Sequence, residues 1–377
     1  MSKQKGLVNL TRELIRINSE NPPGNERNIA RYVSSFLKDA GYSPFIVEFA
    51  PKRSNVWCLL KSRNSLKRIL LSPHLDTVPA GDNWKVPPFA GKIINNRVYG
   101  RGASDCKGNL AVALFVLAVL KKKGCFFENL DIIFAATCDE ETGSQLGFKP
   151  LLEKLLPLDY ALILDGREFE MVRAQKGLLH LRINIFGRKA HGAYPEKGKN
   201  AIKQAMKACL ELSRWVSSVN TKDNKAGLSL NIGRINGGEK VNIVADKCTV
   251  DLDFRFAKDI RLRGLLAKIK KLVQRASSKF SLEVLSFQRQ ANVRENRNFS
   301  QALKASLRHS NITVRSPMCK GATVLSFLGN KGIASFIFGF ASSCQAHVTD
   351  EYIEIRNLIK GANVLKDFLI RLDASIV

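Results

Sequence analysis

The chain has 377 residues, 45% hydrophobic and 25% charged, a profile that suits a soluble globular protein of two ordinary domains and excludes a disordered or fibrous one. Its 60 Lys and Arg against 33 Asp and Glu leave a net charge of +27, but these residues run along the whole chain without a basic tail or interleaved aromatics. A general basic bias explains that pattern, so no nucleic-acid partner is expected. Eight cysteines scattered without a Cys-x-x-Cys pair exclude a thiolate zinc knuckle and a disulfide framework, and Cys106 and Cys138 read as small apolar fillers.

The first residues, Met1 to Lys5, lead into polar helical sequence without an apolar signal core, which predicts a cytoplasmic protein. Leu7 to Ile17 and Glu26 to Ala40 have helical spacing, separated by the loop formers Pro22-Pro23-Gly24. Asn55 to Leu60, Arg68 to Ser72, Leu130 to Ala136 and Tyr160 to Leu164 are short apolar runs, the pattern of strands buried on both faces. Between them, Leu110 to Leu120 is an eleven-residue apolar run closed by three lysines, against roughly 20 needed to cross a bilayer. It predicts a buried helix and no membrane span. Helices alternating with such strands imply an α/β domain with a mostly parallel central sheet, which binds ligands at the carboxyl ends of its strands.

From about Gln175 the order changes to strand, helix, strand, strand, helix, strand. Gly177 to Phe186 alternates, Asn200 to Val216 and Arg261 to Ser278 are helical, and Leu228 to Ile235 and Val250 to Arg255 are strands. This order predicts a small α+β sandwich, residues 175–285, inserted into a domain made of residues 1–174 and 286–377. The last part returns to α/β patterning, with Thr323 to Leu328 helical, Ala334 to Phe338 a strand and Glu354 to Arg371 a closing helix.

Three of the predicted strands deliver chemistry at their ends: His74 after the second, Glu140 and Glu141 after the third, and Asp165 after the fourth. Two divalent metals roughly 3.5 to 4 Å apart need one bridging carboxylate between two similar ligand sets. Asp105 can bridge, with His74 and Asp165 on one side and Glu141 and His347 on the other. Glu140 is then left unliganded, as a general base beside a metal-activated water must be, and Asp76 can orient the His74 ring. Each residue alone has a plainer reading, a solvated loop residue or the acidic first turn of a helix. Their co-occurrence in a chain with only five His favours the metal reading.

The segments His74-Leu75-Asp76-Thr77-Val78-Pro79, Gly100-Arg101-Gly102-Ala103-Ser104-Asp105-Cys106-Lys107-Gly108 and Asp139-Glu140-Glu141-Thr142-Gly143-Ser144 closely resemble those of the dinuclear zinc amidohydrolases. That group includes acetylornithine deacetylase, succinyl-diaminopimelate desuccinylase, aminoacylase and glutamate carboxypeptidase. The likeness continues through Gly187 to Pro195, Gly198 to Ile202 and Ala346 to Tyr352, nearly the whole chain. It implies two divalent ions, Zn2+ first and Co2+ as an alternative, on the ligands named above. It implies hydrolysis of the amide bond of an N-acyl amino acid, with Glu140 as base and Asp76 as partner of His74. The inserted domain would be the dimerisation or lid domain of a homodimer, and its His191 would stabilise the oxyanion in the partner's site. Asn242 and Arg255 match substrate-binding positions; a turn histidine and a strand-end salt bridge are the plainer readings of His191 and Arg255. A dipeptidase or carboxypeptidase acting on short peptides is the alternative, as is release of an amino acid from an acidic carrier protein, which would use the +27 charge. One segment departs from the group: Val324, in Gly321 to Ser326, stands where relatives carry an acidic residue near the substrate, which weakens any substrate assignment.

Overall fold

The computed structural model describes residues 3–124, 126–220, 227–257, 260–319, 321 and 323–377. Two amphipathic helices, α1 (Lys3–Arg16) and α2 (Arg27–Asp39), open the chain, followed by β1 (Phe45–Ala50), β2 (Arg53–Leu60), β3 (Lys67–Ser72), β4 (Lys92–Ile94) and β5 (Arg97–Tyr99). Next come α3 (Gly108–Lys122), β6 (Leu130–Ala136), α4 (Phe148–Leu155) and β7 (Tyr160–Ile163). The middle of the chain forms β8 (Ala174–Gln175), β9 (Gly177–Phe186), α5 (Ala201–Val219), β10 (Ser229–Gly237), β11 (Lys247–Phe256), α6 (Leu262–Gln274), β12 (Phe280–Gln288) and β13 (Ala291–Asn292). It closes with α7 (Arg297–His309), α8 (Leu325–Gly329), β14 (Ala334–Ile337), β15 (Tyr352–Glu354) and α9 (Ile355–Ala374).

Two compact units result: Met1–Arg173 with Asn292–Met318 and Thr323–Val377, and Ala174–Ala291 with Cys319–Ala322. Residues 286–291, expected in the first unit, fall in the second because β12 runs on to Gln288 in the sheet of that unit. Cys319 joins them because its N–H donates to the Ala174 carbonyl at 2.8 Å.

The central sheet of the first unit has the order β1-β2-β6-β3-β7-β14. The four strands β6, β3, β7 and β14 are mutually parallel, and β1 and β2 add an antiparallel edge. β6 and β7 are buried at every position, which is why their sequences are mostly apolar rather than alternating, the buried Asp131 of β6 being paired with the Ser62 N–H and hydroxyl. Their side chains form one core with α1, α2, α3, α7 and α9. The apolar stretch ending in α3 is long enough to span a bilayer, yet 78% of its most apolar window is packed inside the protein.

The sheet of the second unit, order β10-β11-β9-β12, is antiparallel throughout. Here one face is covered, so β9 and β11 alternate: Leu179, Leu181, Ile183 and Ile185 meet Val250, Leu252, Phe254 and Phe256 over α5 and α6. Edge strand β10 is exposed at eight of its nine positions.

Candidate metal centre

The parallel strands place three ligand candidates at one sheet end. β6, β3 and β7 are adjacent, and their carboxyl ends lead into Glu140-Glu141, His74 and Asp165 respectively. Continuation of the ladder past β3, with Leu75 N–H donating to the Thr137 carbonyl at 2.8 Å, holds the His74 and Glu140 turns side by side. Asp105 comes from the irregular turn Ala103–Lys107 that leads into α3, and His347 from the loop before β15.

These residues converge as the two-sided arrangement requires. Asp105 Oδ1 lies 3.1 Å from His74 Nε2, and Asp105 Oδ2 lies 3.2 Å from His347 Nε2. Asp165 Oδ1 flanks His74 Nε2 at 3.5 Å, and Glu141 Oε2 flanks His347 Nε2 at 3.0 Å. His74, Asp105 and Glu141 present donor atoms that all lie within 4.8 Å of one another. The second oxygen of Glu141, Oε1, is buried without a hydrogen-bond partner among the described residues. A buried carboxylate oxygen left unpaired is costly unless a cation completes it. The imidazole and carboxylate donors of this set fit borderline divalent ions such as Zn2+ or Co2+.

Cys106 departs from its reading as an apolar filler. Its sulfur accepts from the His74 N–H at 3.1 Å and donates to the His74 carbonyl at 3.4 Å, pinning the histidine's backbone. It also lies with His74 and Asp165 in a second group of close donor atoms. Burial pushes the Cys106 thiol up to about 12, so it stays protonated as that double hydrogen bond requires.

Asp76 orients the His74 ring through its backbone carbonyl rather than through its carboxylate. Nδ1 of the ring donates to the Asp76 backbone carbonyl at 2.9 Å, while the carboxylate stands 3.6 Å from the same nitrogen. Because a carbonyl only accepts, Nδ1 carries the proton and Nε2 is the nitrogen free to bind a metal. The carboxylate itself accepts from the backbone N–H of Glu140 and Glu141, both at 3.1 Å, and from Asn21 Nδ2 at 2.8 Å. It therefore fastens the turn that carries Glu140 and Glu141 to the strand end that carries His74.

Two further supports have no local sequence signal. Arg53 makes a fork to Glu26, both contacts at 2.9 Å, and reaches Asp139 at 3.0 Å, which holds the residue before Glu140. Glu351 accepts from three backbone N–H groups of the Asp105 turn.

Electrostatically the centre crowds buried carboxyl groups around two imidazoles. Burial and then the Asp165 charge raise Glu140 well above the carboxylate range, and burial and then Asp105 raise Glu141. Burial raises Asp165 against the pull of His74. Asp105 is the exception: burial opposes its charge, but His347 and His74, one on each oxygen, hold it well below the usual range. Burial likewise opposes an imidazolium at His74, yet the neighbouring Asp105, Asp165 and Asp76 carboxylates push it upward, and hydrogen bonds to Asp105 and Glu141 raise His347 to about 10.

His191, Asn242 and Arg255 belong to the second unit. The structure brings two of them onto neighbouring loops: Gly192 N–H donates to the Asn242 carbonyl at 2.7 Å, and His191 bridges to Ile243. A side chain at Gly192 would meet the Asn242 backbone at 3.0 Å, so this close approach needs a glycine. His191 is exposed, its Nδ1 accepting from the Ala193 N–H at 3.1 Å. Arg255 lies apart on β11, its fork engaged with Asp253 at 2.7 and 3.1 Å, the strand-end salt bridge. Val324 is buried beside α8; positions 320 and 322 of the same segment lie outside the described residues.

The chain resembles known proteins along most of its length. It is 29% identical over 264 residues, 68% of each chain, to a protein of Vibrio atlanticus named acetylornithine deacetylase. A protein of Staphylococcus aureus named probable succinyl-diaminopimelate desuccinylase is 25% identical over 399 aligned residues, 97% of each chain. In three dimensions a tripeptidase from Staphylococcus aureus superposes with a TM-score of 0.82 at 24% identity, covering 98% of this chain and 99% of that one. Residues 70–371 match the model of peptidase family M20/M25/M40, a stretch that contains His74, Asp105, Glu140, Glu141, Asp165 and His347. The chain therefore belongs to peptidase family M20/M25/M40, a family of metal-dependent hydrolases.

Proposed function

We propose that this protein is a dinuclear zinc amidohydrolase that cleaves the amide bond of an N-acyl amino acid, of the acetylornithine deacetylase or succinyl-diaminopimelate desuccinylase type. One observation carries the reading: the two oxygens of Asp105 face two different imidazoles, at 3.1 and 3.2 Å, with Asp165 beside one and Glu141 beside the other. His74, Asp105 and Asp165 would hold one ion, and Asp105, Glu141 and His347 the other. Bound there, divalent ions supply Lewis-acid polarisation of the scissile carbonyl and bring the pKa of water toward roughly 7. Glu140 is assigned the proton work: its carboxylate takes a proton from the attacking water and delivers one to the departing amine nitrogen. Asp76 keeps Glu140 in place through the backbone N–H it accepts.

His191 is assigned to the oxyanion, supplied by a second copy of the chain. Dimerisation is supported by edge strand β10, where Ile232 and Ile235 are exposed, and by Met206 and Leu210, one turn apart on α5 and each 56% exposed. Asn242 would bind substrate beside His191, and Arg255 would do so only by exchanging Asp253 for a substrate carboxylate.

The competing reading is a dipeptidase or carboxypeptidase, favoured by the likeness of the fold to a tripeptidase. Both use the same residues. Turnover of a panel of N-acetylornithine, N-succinyl-diaminopimelate and dipeptides with added Zn2+ or Co2+ separates them: preference for the acyl amino acids supports the proposal, preference for dipeptides replaces it, and no turnover of any sinks both.

A further inference from the structure

Glu351 ties together the two segments that carry ligands of the His347 half of the centre. Its fully buried carboxylate accepts from the backbone N–H of Gly102 at 2.9 Å, Ser104 at 2.8 Å and Asp105 at 3.0 Å. Arg101 Nη1 donates to it at 2.9 Å, and the same nitrogen donates to the Val348 carbonyl at 3.0 Å. The Glu351 carbonyl accepts from Gly100 N–H at 2.8 Å. One residue thus clasps the whole turn that ends in Asp105, and it lies four positions after His347. The His347 loop needs such a clasp. Cys344, His347 and Asp350 all have positive φ, at 56°, 62° and 56°, and non-glycine residues persist there only when their surroundings over-determine the backbone.

We infer that Glu351 is a positioning residue: it sets the separation of Asp105 from His347 and so the affinity of the metal position that these two share with Glu141. The inference rests on the dinuclear reading above. It differs from a purely structural role in one respect, since a buried residue that merely supports the fold lowers stability without favouring one metal position over the other.

Glu351→Gln keeps the shape but places an amide against backbone N–H groups and Arg101. Glu351→Asp keeps the charge facing Arg101 but is one methylene too short to reach the Ser104 and Asp105 amides together. The chelator-stripped full-length protein is titrated with Zn2+ in competition with a chelator of known affinity, and its thermal unfolding is followed in parallel. Wild type taking up fewer than two ions sinks the dinuclear reading itself. With two ions bound by wild type, the variants are expected to keep the tighter event and to weaken the other by about 10- to 100-fold. Two events of wild-type affinity in both variants, or equal weakening of both events, overturn the inference and leave the dinuclear reading standing. If Glu351→Gln does not fold, Glu351→Asp decides; if neither folds, Glu351 is a fold determinant and the positioning role is rejected.

Discussion

The two imidazoles of the centre are set in different ways. The His74 side chain is 2% exposed, follows the end of a central strand and has a partner at both ring nitrogens. The His347 side chain is 53% exposed, sits in a loop of turns and has its carboxylate neighbours on Nε2. A ligand at the end of a packed strand is preformed, because the ladder that makes the strand also aims the side chain. One on a loop depends on contacts made elsewhere in the chain, here through Arg101 and Glu351. Two donor sets of nearly equal composition therefore come with unequal rigidity.

The largest effect is expected from the residue assigned to neither half. Glu140→Gln is expected to lower kcat by about 10²- to 10⁴-fold, the usual worth of a general base, while two metal equivalents remain bound. Steady-state kinetics paired with metal analysis reads this. Loss of an equivalent together with activity would mean that Glu140 is a ligand.

A direct comparison of the halves comes next. His74→Ala removes the partner of buried anions and is expected to destabilise the metal-free protein by roughly 3–5 kcal/mol. His347→Ala, where the side chain is half exposed and its ion pairs are screened by solvent, should cost less than His74→Ala. Each variant should retain one metal equivalent. Equal stability losses in calorimetric unfolding of the metal-free proteins would erase the distinction drawn here.

The smallest effect is the share of the pH dependence that belongs to His347. In the metal-free protein the His347 pKa stands at about 10 against 6.5 for an ordinary histidine, because Asp105 and Glu141 favour the imidazolium. A folded-state pKa above the unfolded value means that the contribution to stability is fully present below about 6.5 and is lost as pH rises through about 10. A metal ligand must be neutral, so ion uptake at pH 8 should release a proton from His347 and bind more tightly as pH rises. Titration calorimetry in buffers of different ionisation enthalpy counts the protons released, and a lower count in His347→Ala than in wild type assigns one of them to His347.

Much of this centre was legible because its geometry is tied to strand ends. The runs Arg68 to Ser72, Leu130 to Ala136 and Tyr160 to Leu164 are apolar for the reason that both their faces are covered, and His74, Glu140 and Asp165 follow them closely. The alternation in Gly177 to Phe186 was equally readable, since one face of β9 is covered and the other is not. β1 was missed: Phe45 to Ala50 is an edge strand exposed or half-buried along its length, and its turn to β2 carries Lys52 at φ 67° rather than a glycine or asparagine that would mark a hairpin. The supports of the centre were illegible for a different reason. Glu351 and Ser104 are 247 positions apart, and Asn21 and Asp76 are 55 apart, so no spacing rule links them.

What the sequence determined by itself was the chemical inventory and its placement at sheet ends, because burial and turn formation write periodic, local patterns into the chain. Only the tertiary structure decided which atoms meet. It gave Asp76 the task of holding the Glu140 turn, made Cys106 a hydrogen-bonded support, and engaged Arg255 with Asp253. It also made Glu351 the clasp of the Asp105 turn. Hydrogen bonds between distant segments depend on how those segments pack, and packing leaves no local trace in the residues it joins.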